Sequence, residues 1–222
     1  MTQLFSRPGG AFQPDFDDLP RVVPIFPLPG VLLLPGGRLP LNIFEPRYLA
    51  MVRDALSGER TIGMIQPCAE APDVGAARVY ETGCAGRITA FSETDDGRYL
   101  ITLTGTIRFD VERELPPIEG YRRVVADYDR FRGDLEEEAS EIDRERFLET
   151  LGCYFEANGI EGDWTAIGEA GDAALVTSLA MICPFGAPEK QALLEAMSLP
   201  ERARTMTAIM EMAVHEPGGA TH

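Results

Sequence analysis

The clearest pattern in the chain is an alternation of apolar and polar residues over positions 99–112. Apolar side chains such as Ile101 and Leu103 occupy odd positions, and from Thr102 onward the even positions are threonine or charged. A period of two over this length predicts a β-strand with one buried and one solvent-facing side. Gly105 interrupts the pattern, which predicts a bulge or a bend at that point.

Five further segments have the composition of short strands. Asp95-Asp96-Gly97 separates the long strand from the segment 83–91, and this sequence is a strong hairpin signal. Six short strands with only one early helix predict a closed or nearly closed β-barrel. The other four candidate strands are 21–26, 39–44, 60–66 and 121–128.

The early helix is predicted at 46–57. Pro46 suits its first position, because the N–H that proline lacks would have no helical partner there. Tyr48, Val52 and Leu56 line one face, and Gly58 fits the position just after the helix.

After Asp134 the apolar period changes from two to 3.6, which predicts α-helices. Asp172 is expected to cap the second of four helices, and Pro188 and Pro200 to open the third and fourth. The first helix is predicted from a stripe formed by Leu135, Ala139, Ile142, Leu151, Tyr154 and Phe155.

These patterns predict an α+β protein with four parts. Residues 1–20 mix Gly, Pro and Asp with Phe5, Phe12 and Phe16, which predicts a flexible arm. The alternative is that these phenylalanines dock on a surface of the protein itself or of a partner. A β-barrel domain at 21–133 and a helical bundle at 134–215 follow, and 216–222 form a tail.

Composition narrows the class of protein. The net charge of −16 opposes broad affinity for nucleic acid, whose phosphates would be repelled. Much of this charge lies between Asp134 and Glu149, where a solvated helix face is expected. The longest apolar run, at 31–34, is too short to span a bilayer, and no signal peptide is visible. A cytoplasmic protein without membrane contact is therefore expected.

No motif identifies a catalytic group. The sequence contains neither a phosphate-binding loop nor a nucleophile elbow, and Lys190 is its single lysine. The four cysteines are far apart and are expected to be reduced. Because the two histidines, His215 and His222, both lie in the C-terminal tail, a zinc site is not expected. We expect no catalytic residues, no cofactor and no metal.

Four stretches in a fixed order carry a family resemblance. The first joins Pro24, Phe26 and Pro27 to the sequence Phe44-Glu45-Pro46-Arg47-Tyr48, and the others are 83–88, 98–109 and 188–195. Together they resemble the Lon protease N-terminal (substrate-binding) domain family. The resemblance covers about residues 21–213. One departure is Ala187, which stands where the family usually has a serine or threonine, so that a hydroxyl cap of the following helix is expected to be missing.

The resemblance implies a PUA-like six-stranded β-pseudobarrel followed by a C-terminal helical bundle. It also implies binding of unfolded or tagged protein segments, which is the role of this domain in the full-length proteases. Their ATPase domain and Ser/Lys protease domain are not expected in this chain, so the resemblance implies no enzymatic activity.

The end of the family motif supplies the first candidate binding residues: Phe44, Glu45, Arg47 and Tyr48. They either line a peptide groove or serve the fold. In the second case Phe44 and Tyr48 belong to the core and Glu45 favours the helix start. Arg47 then forms an ion pair or binds carbonyl groups of the proline-rich loop.

The second group of candidates is Leu32, Leu33 and Leu34, between Gly30 and Pro35. One interpretation is a strand buried on both faces. The other is a loop that offers its leucines to a partner, since loops near prolines are often exposed.

The leading hypothesis is a non-enzymatic module that binds unfolded or extended polypeptides by edge-strand addition or through apolar pockets. It would act as an adaptor, with a protease or chaperone as a further partner, and a homodimer is left open. An enzyme of unknown type and an RNA-binding protein are the alternatives. The only support for RNA binding is a basic cluster formed by Arg122, Arg123, Arg130 and Arg132.

Overall fold

The computed structural model describes residues 14–68, 77–136 and 141–215. Its strands form one six-stranded sheet. The strands lie in the order β2-β5-β4-β3-β1-β6, and β6 also pairs with β5, which closes the sheet. All pairs are antiparallel except β1 with β3. The predicted α+β class and the six strands are confirmed. Their bounds are β1 (Val22–Pro27), β2 (Arg38–Ile43), β3 (Thr61–Ile65), β4 (Thr82–Glu93), β5 (Tyr99–Ile118) and β6 (Tyr121–Asp127).

Strand β5 belongs to two different parts of the sheet. From Asp110 onward it pairs with β6 and closes the barrel. Before Gly105 it pairs with β2 instead. Because β3 pairs with β4 only as far as Arg87, the rest of β4 continues beyond the barrel. We call this three-stranded extension, made of residues 38–44, 88–93 and 99–104, the ribbon.

The predicted irregularity at Gly105 is a β-bulge at the next residue. Gly105 lies opposite Gly86 and Ile107 opposite Ala85, so Thr106 has no partner in β4. Residues opposite each other in a sheet point to the same side. The extra residue therefore turns the side chains before and after it to opposite sides of the sheet.

The bulge corrects the expectation of one buried and one wet side along this strand. Odd positions are buried both before and after the bulge, as predicted, but those before it belong to one core and those after it to another. Leu103, opposite Ile88, faces the sheet side that carries the helices. Ile107 and Phe109 face the barrel interior. The sheet is thus apolar on both sides in its central part.

Six α-helices complete the described fold, and the first coincides with its predicted range. A larger core packs on the outer side of the sheet and continues through the helices of residues 141–215, so that Leu103 and Leu151 belong to one cluster. The division of the chain at 133/134 stays a prediction. The helices are α1 (Pro46–Ser57), α2 (Arg144–Asn158), α3 (Trp164–Glu169), α4 (Asp172–Ile182), α5 (Ala187–Glu195) and α6 (Leu199–His215).

The first helix of the C-terminal half starts later than its apolar stripe indicates. Asp143 is the N-cap of α2, and its carboxylate accepts the backbone N–H of Arg146. Leu135 ends a 3-10 helix at Asp129–Leu135 and packs on the barrel. Ala139 lies outside the described residues.

Three other helix starts differ from the sequence-based expectation. The short α3 was not predicted, because six residues give no clear period; Asp163 caps it. Asp172 is inside α4 after the N-cap residue Gly171, and its carboxylate binds Arg144 instead. Likewise Gly186 is the N-cap of α5, so Ala187 does not occupy the capping position.

Part of the predicted N-terminal arm docks on the barrel. Phe16 and Leu19 pack against the interior cluster, and the Arg132 guanidinium lies 3.7 Å from the centroid of the Phe16 ring. The hydroxyl of Tyr128 donates to the Pro20 carbonyl at 2.9 Å. Docking on the protein's own surface, the alternative considered for the arm, is thus observed for Phe16. Phe5 and Phe12 lie outside the described residues.

Charged and polar groups join the helices to the barrel at α5. The Arg108 guanidinium donates to the carbonyls of Leu194 and Ala196, at 2.9 and 2.6 Å. These carbonyls lie at the C-terminal end of α5, where the last carbonyls of a helix have no partner within it. The guanidinium also binds both carboxylate oxygens of Asp134. The side chains of Arg108 and Asp134 are 3% and 9% exposed. Asp134 therefore does not belong to a solvated helix face, because it neutralises a buried arginine.

Two further buried residues of α5 reach the other half of the molecule. Lys190 donates to the Gly30 carbonyl at 2.8 Å, and burial lowers the pKa of its ammonium group. Gln191 donates to the Thr82 carbonyl at 3.2 Å. In the opposite direction, Gln66 at the end of β3 donates to a carbonyl at the start of α5. We call these contacts of α5 with the other half of the molecule, together with those of Arg108, the seam. They explain why a short helix buries a lysine and a glutamine.

Candidate polypeptide-binding surface

Three of the nine large apolar residues that are exposed in the described part of the chain lie where the ribbon ends. Phe44, Phe91 and Leu100 are 61%, 45% and 44% exposed. Leu100 lies between Asn42 of β2 and Ser92 of β4, and Phe44 directly follows β2. We call the group Phe44, Phe91, Tyr99 and Leu100 the ribbon tip.

The side chains of the ribbon tip are held in defined positions. The Phe91 and Tyr99 rings meet edge to face with centroids 5.1 Å apart. The Arg98 guanidinium lies 5.8 Å from the centroid of the Phe44 ring and pairs with Asp96 at 2.8 Å. These residues belong to or border paired strands, so the sheet sets the positions of their backbones.

The exposure of the ribbon tip follows from the sheet topology. Phe91 lies opposite Ile101 and faces the side of the larger core, whereas Leu100 faces the other side. Beyond Arg87, strand β4 no longer has β3 beside it. The ribbon therefore extends past the barrel, and its end presents apolar groups on both sides.

The three leucines of the proline-rich segment are buried, as the first interpretation of the sequence expects, but they do not form the strand that it assumed. Leu32, Leu33 and Leu34 are 2%, 1% and 0% exposed and adopt neither a strand nor an exposed loop. Their segment crosses the sheet at its glycines: a Cβ on Gly105 would lie 2.0 Å from the Leu34 carbonyl oxygen, and one on Gly86 2.6 Å from Leu33. In this structure they belong to the larger core, and a role of these leucines in peptide binding stays a prediction.

The family motif divides between core and surface. Tyr48 is buried and its ring centroid lies 4.2 Å from that of Phe26, as the structural interpretation expects. Burial also raises the pKa of its hydroxyl. Phe44, which the same interpretation places in the core, is exposed instead. A role of Phe44 or Tyr48 in peptide binding stays a prediction.

Glu45 and Arg47 bind each other at the surface. The Arg47 guanidinium lies 2.8 Å from Glu45 Oε2 and covers the Tyr48 ring at 4.5 Å. Glu45 occupies the N-cap position of α1, but its side chain makes no capping hydrogen bond. The expected ion pair is present, its partner is Glu45, and both side chains are about half exposed.

The basic cluster considered for RNA binding is largely neutralised. Arg123 donates to the carbonyl of Pro116. The other three arginines each bind a carboxylate, in the pairs Arg122–Glu114, Arg130–Asp110 and Arg132–Asp129.

Sequence reasoning missed Phe91 and Leu100. A signal for Leu100 is present in the alternation itself, since it is the one apolar residue at an even position of 99–112. For Phe91 the sequence gives no comparable signal, because its exposure depends on where strand β3 ends.

Comparison with known proteins gives one family across most of the chain. The sequence model of the ATP-dependent protease La (LON) substrate-binding domain matches residues 22–212. That range includes all six strands and nearly all of the described helices.

Relatives with the same domain are Lon proteases. Lon protease of Anaeromyxobacter dehalogenans and Lon protease 2 of Myxococcus xanthus are each 35% identical over 96 residues, which is 43% of this chain. Lon protease of Phenylobacterium zucineum is 26% identical over 202 residues, or 87% of the chain. The matched parts are 11%, 12% and 24% of these three proteins, so the chain spans only a small part of their length.

Two solved structures share the fold. The Lon N-terminal domain protein from Xanthomonas campestris has a TM-score of 0.60 at 24% identity, covering 84% of this chain and 97% of that one. The N-terminal domain of Lon protease from the Mycobacterium avium complex has a TM-score of 0.58 at 16% identity, covering 86% of this chain and 98% of that one.

Proposed function

The chain belongs to the LON substrate-binding domain family, and from this premise we propose that it binds unfolded or extended polypeptides without catalysing a reaction. The matched domain is the substrate-binding one, not the ATPase or protease domain. The observation that carries the proposal is the ribbon tip, where apolar side chains are exposed on paired strands.

The ribbon tip suits an unfolded client. Unfolded chains expose the apolar side chains that folded proteins bury, and each phenylalanine that becomes buried on binding contributes about 1.5–3 kcal/mol. Contacts with two or three such side chains give a weak, reversible interaction that does not depend on one sequence. The carboxylates nearby and the net charge of −16 oppose a nucleic acid at the same place.

The direct test is binding of a permanently unfolded, fluorescently labelled protein, measured by anisotropy. Phe44→Ser and Phe91→Ser are each expected to weaken binding several-fold, and the double variant by more than about tenfold, which corresponds to 1.4 kcal/mol. Met212→Ser is the matched control, since Met212 on α6 is 60% exposed, like Phe44. If the double variant binds as well as the control, the ribbon tip is not the binding surface.

The same surface would allow the chain to act as an adaptor that delivers clients to a protease or chaperone. This part rests on family membership. Adding the chain to a client and an energy-dependent protease from the same cell should accelerate degradation, and the Phe44→Ser/Phe91→Ser variant should not. Unchanged degradation would leave the chain a binding protein only.

A further inference from the structure

The turn between β4 and β5 places carboxylates beside the ribbon tip. Residues 93–98 contain Glu93, Asp95 and Asp96 but only one cation, Arg98. Asp96 accepts a hydrogen bond from the Thr94 hydroxyl, which lowers the pKa of its carboxyl group, and it pairs with Arg98. Glu93 and Asp95 are exposed and form no ion pair within the described part of the chain.

These carboxylates are close to the apolar contact residues. Glu93 lies directly opposite Tyr99 in the sheet, and the Tyr99 ring contacts that of Phe91. A client segment that covers these rings therefore brings its own neighbouring residues next to Glu93 and the turn. The Arg98 guanidinium near the Phe44 ring shows that a cation is also accepted beside an aromatic group of the tip.

We propose that the ribbon tip selects polypeptide segments in which an aromatic or aliphatic residue is flanked by lysine or arginine. This inference rests on the proposed function and adds the charge of the client to it. Apolar contacts hold the segment, and its cations neutralise Glu93 and Asp95. Segments flanked by glutamate or aspartate are disfavoured at the same place.

Screening separates the local carboxylates from the charge of the whole chain. At 0.1 M salt the Debye length is about 10 Å, so remote charges contribute little to a contact at the tip. Exposed ion pairs are individually weak. We therefore expect a preference of about tenfold between a segment with two cationic flanks and one with two anionic flanks, and a much smaller one at high salt.

The test uses three labelled peptides with one aromatic core and lysine, glutamine or glutamate on both sides. Anisotropy titrations with the full chain should rank them lysine, glutamine, glutamate. Glu93→Gln/Asp95→Asn should reduce the preference to about twofold. Glu161→Gln/Glu169→Gln changes the net charge equally, at exposed positions of the helical half, and should leave the preference unchanged.

The outcomes separate this inference from the proposed function. In the first outcome the glutamine peptide binds, Phe91→Ser weakens that binding, and the lysine and glutamate peptides bind equally well. The charge preference is then overturned and the binding function stands. If the control variant reduces the preference as much as the turn variant, total charge is responsible and the local site is overturned. If none of the peptides binds, both proposals fail.

Discussion

Leu100 and Arg108 belong to the same strand, but the apolar Leu100 is exposed and the charged Arg108 is buried. Leu100, in the ribbon, is 44% exposed, whereas the Arg108 side chain, in the barrel, is 3% exposed. The difference lies in their neighbours. The 3-10 helix and the end of α5 cover Arg108, while the ribbon extends past the barrel at Leu100.

The comparison indicates two different uses of the same sheet. At Arg108 a buried cation is compensated by Asp134 and by the C-terminal carbonyls of α5, so it fixes the helices on the barrel. At Leu100 apolar area stays in contact with water, which lowers stability slightly and leaves a surface for a partner. The proposed function thus assigns stability and binding to separate parts of strand β5.

The largest expected effect is at the buried pair. Asp134→Ala leaves the Arg108 cation buried without its carboxylate, and this should lower the free energy of unfolding by about 3–5 kcal/mol. Asp129→Ala removes an exposed carboxylate from Arg132 and should cost at most about 1 kcal/mol. Urea denaturation measures both. Equal losses would mean that the seam does not depend on this ion pair.

The next largest loss of stability is expected for ribbon side chains that face the larger core. Leu103→Ala opens a cavity in the larger core and should cost about 2–5 kcal/mol. Thr102→Ala, on the other side of the ribbon, should change stability by no more than about 0.5 kcal/mol. Denaturant melts in which both substitutions cost the same would show that the strand register is wrong.

The surface pair of the family motif should contribute little. Arg47→Ala separates two half-exposed charges and should lower the free energy of unfolding by about 0.2–1 kcal/mol. Differential scanning calorimetry of Arg47→Ala beside Asp134→Ala gives the contrast directly. A large drop in melting temperature for Arg47→Ala would assign the motif a structural role that its exposure does not support.

The smallest effect is expected at Leu100. Leu100→Thr replaces an exposed apolar side chain by a good strand former, so stability should change by less than about 0.5 kcal/mol. Binding of an unfolded polypeptide should nevertheless weaken. A clear destabilisation by this substitution would place Leu100 in a packed environment and end the comparison with Arg108.

Local patterns predicted most of the fold. The alternation at 99–112, the turn residues Asp95-Asp96-Gly97 and the proline at the start of α1 each depend on short-range chemistry, and the strand, the turn and the helix that they predict are present. The bulge at Thr106 shows the limit. It turns Leu103 and Ile107 towards different cores, and nothing in the period of two distinguishes them.

The candidate site was predicted less well, because exposure is a property of the assembled sheet. In the sequence Leu33 has the features of an exposed loop residue, but in the structure it packs over Gly86. Asp134 resembles one of many surface carboxylates until Arg108 lies beside it. Phe44 was selected for its motif, but its exposure results from the end of strand β2 at the tip of the ribbon.

The central claim is that polypeptides bind at the ribbon tip, and backbone amide NMR tests it most directly. An unlabelled unfolded polypeptide titrated into the isotope-labelled chain should shift amide signals at 42–44 and 91–100. Signals of α5, which holds the seam, and of α6 should stay in place. Shifts confined to the helices, or shifts absent from the ribbon tip at saturating polypeptide, would contradict this account.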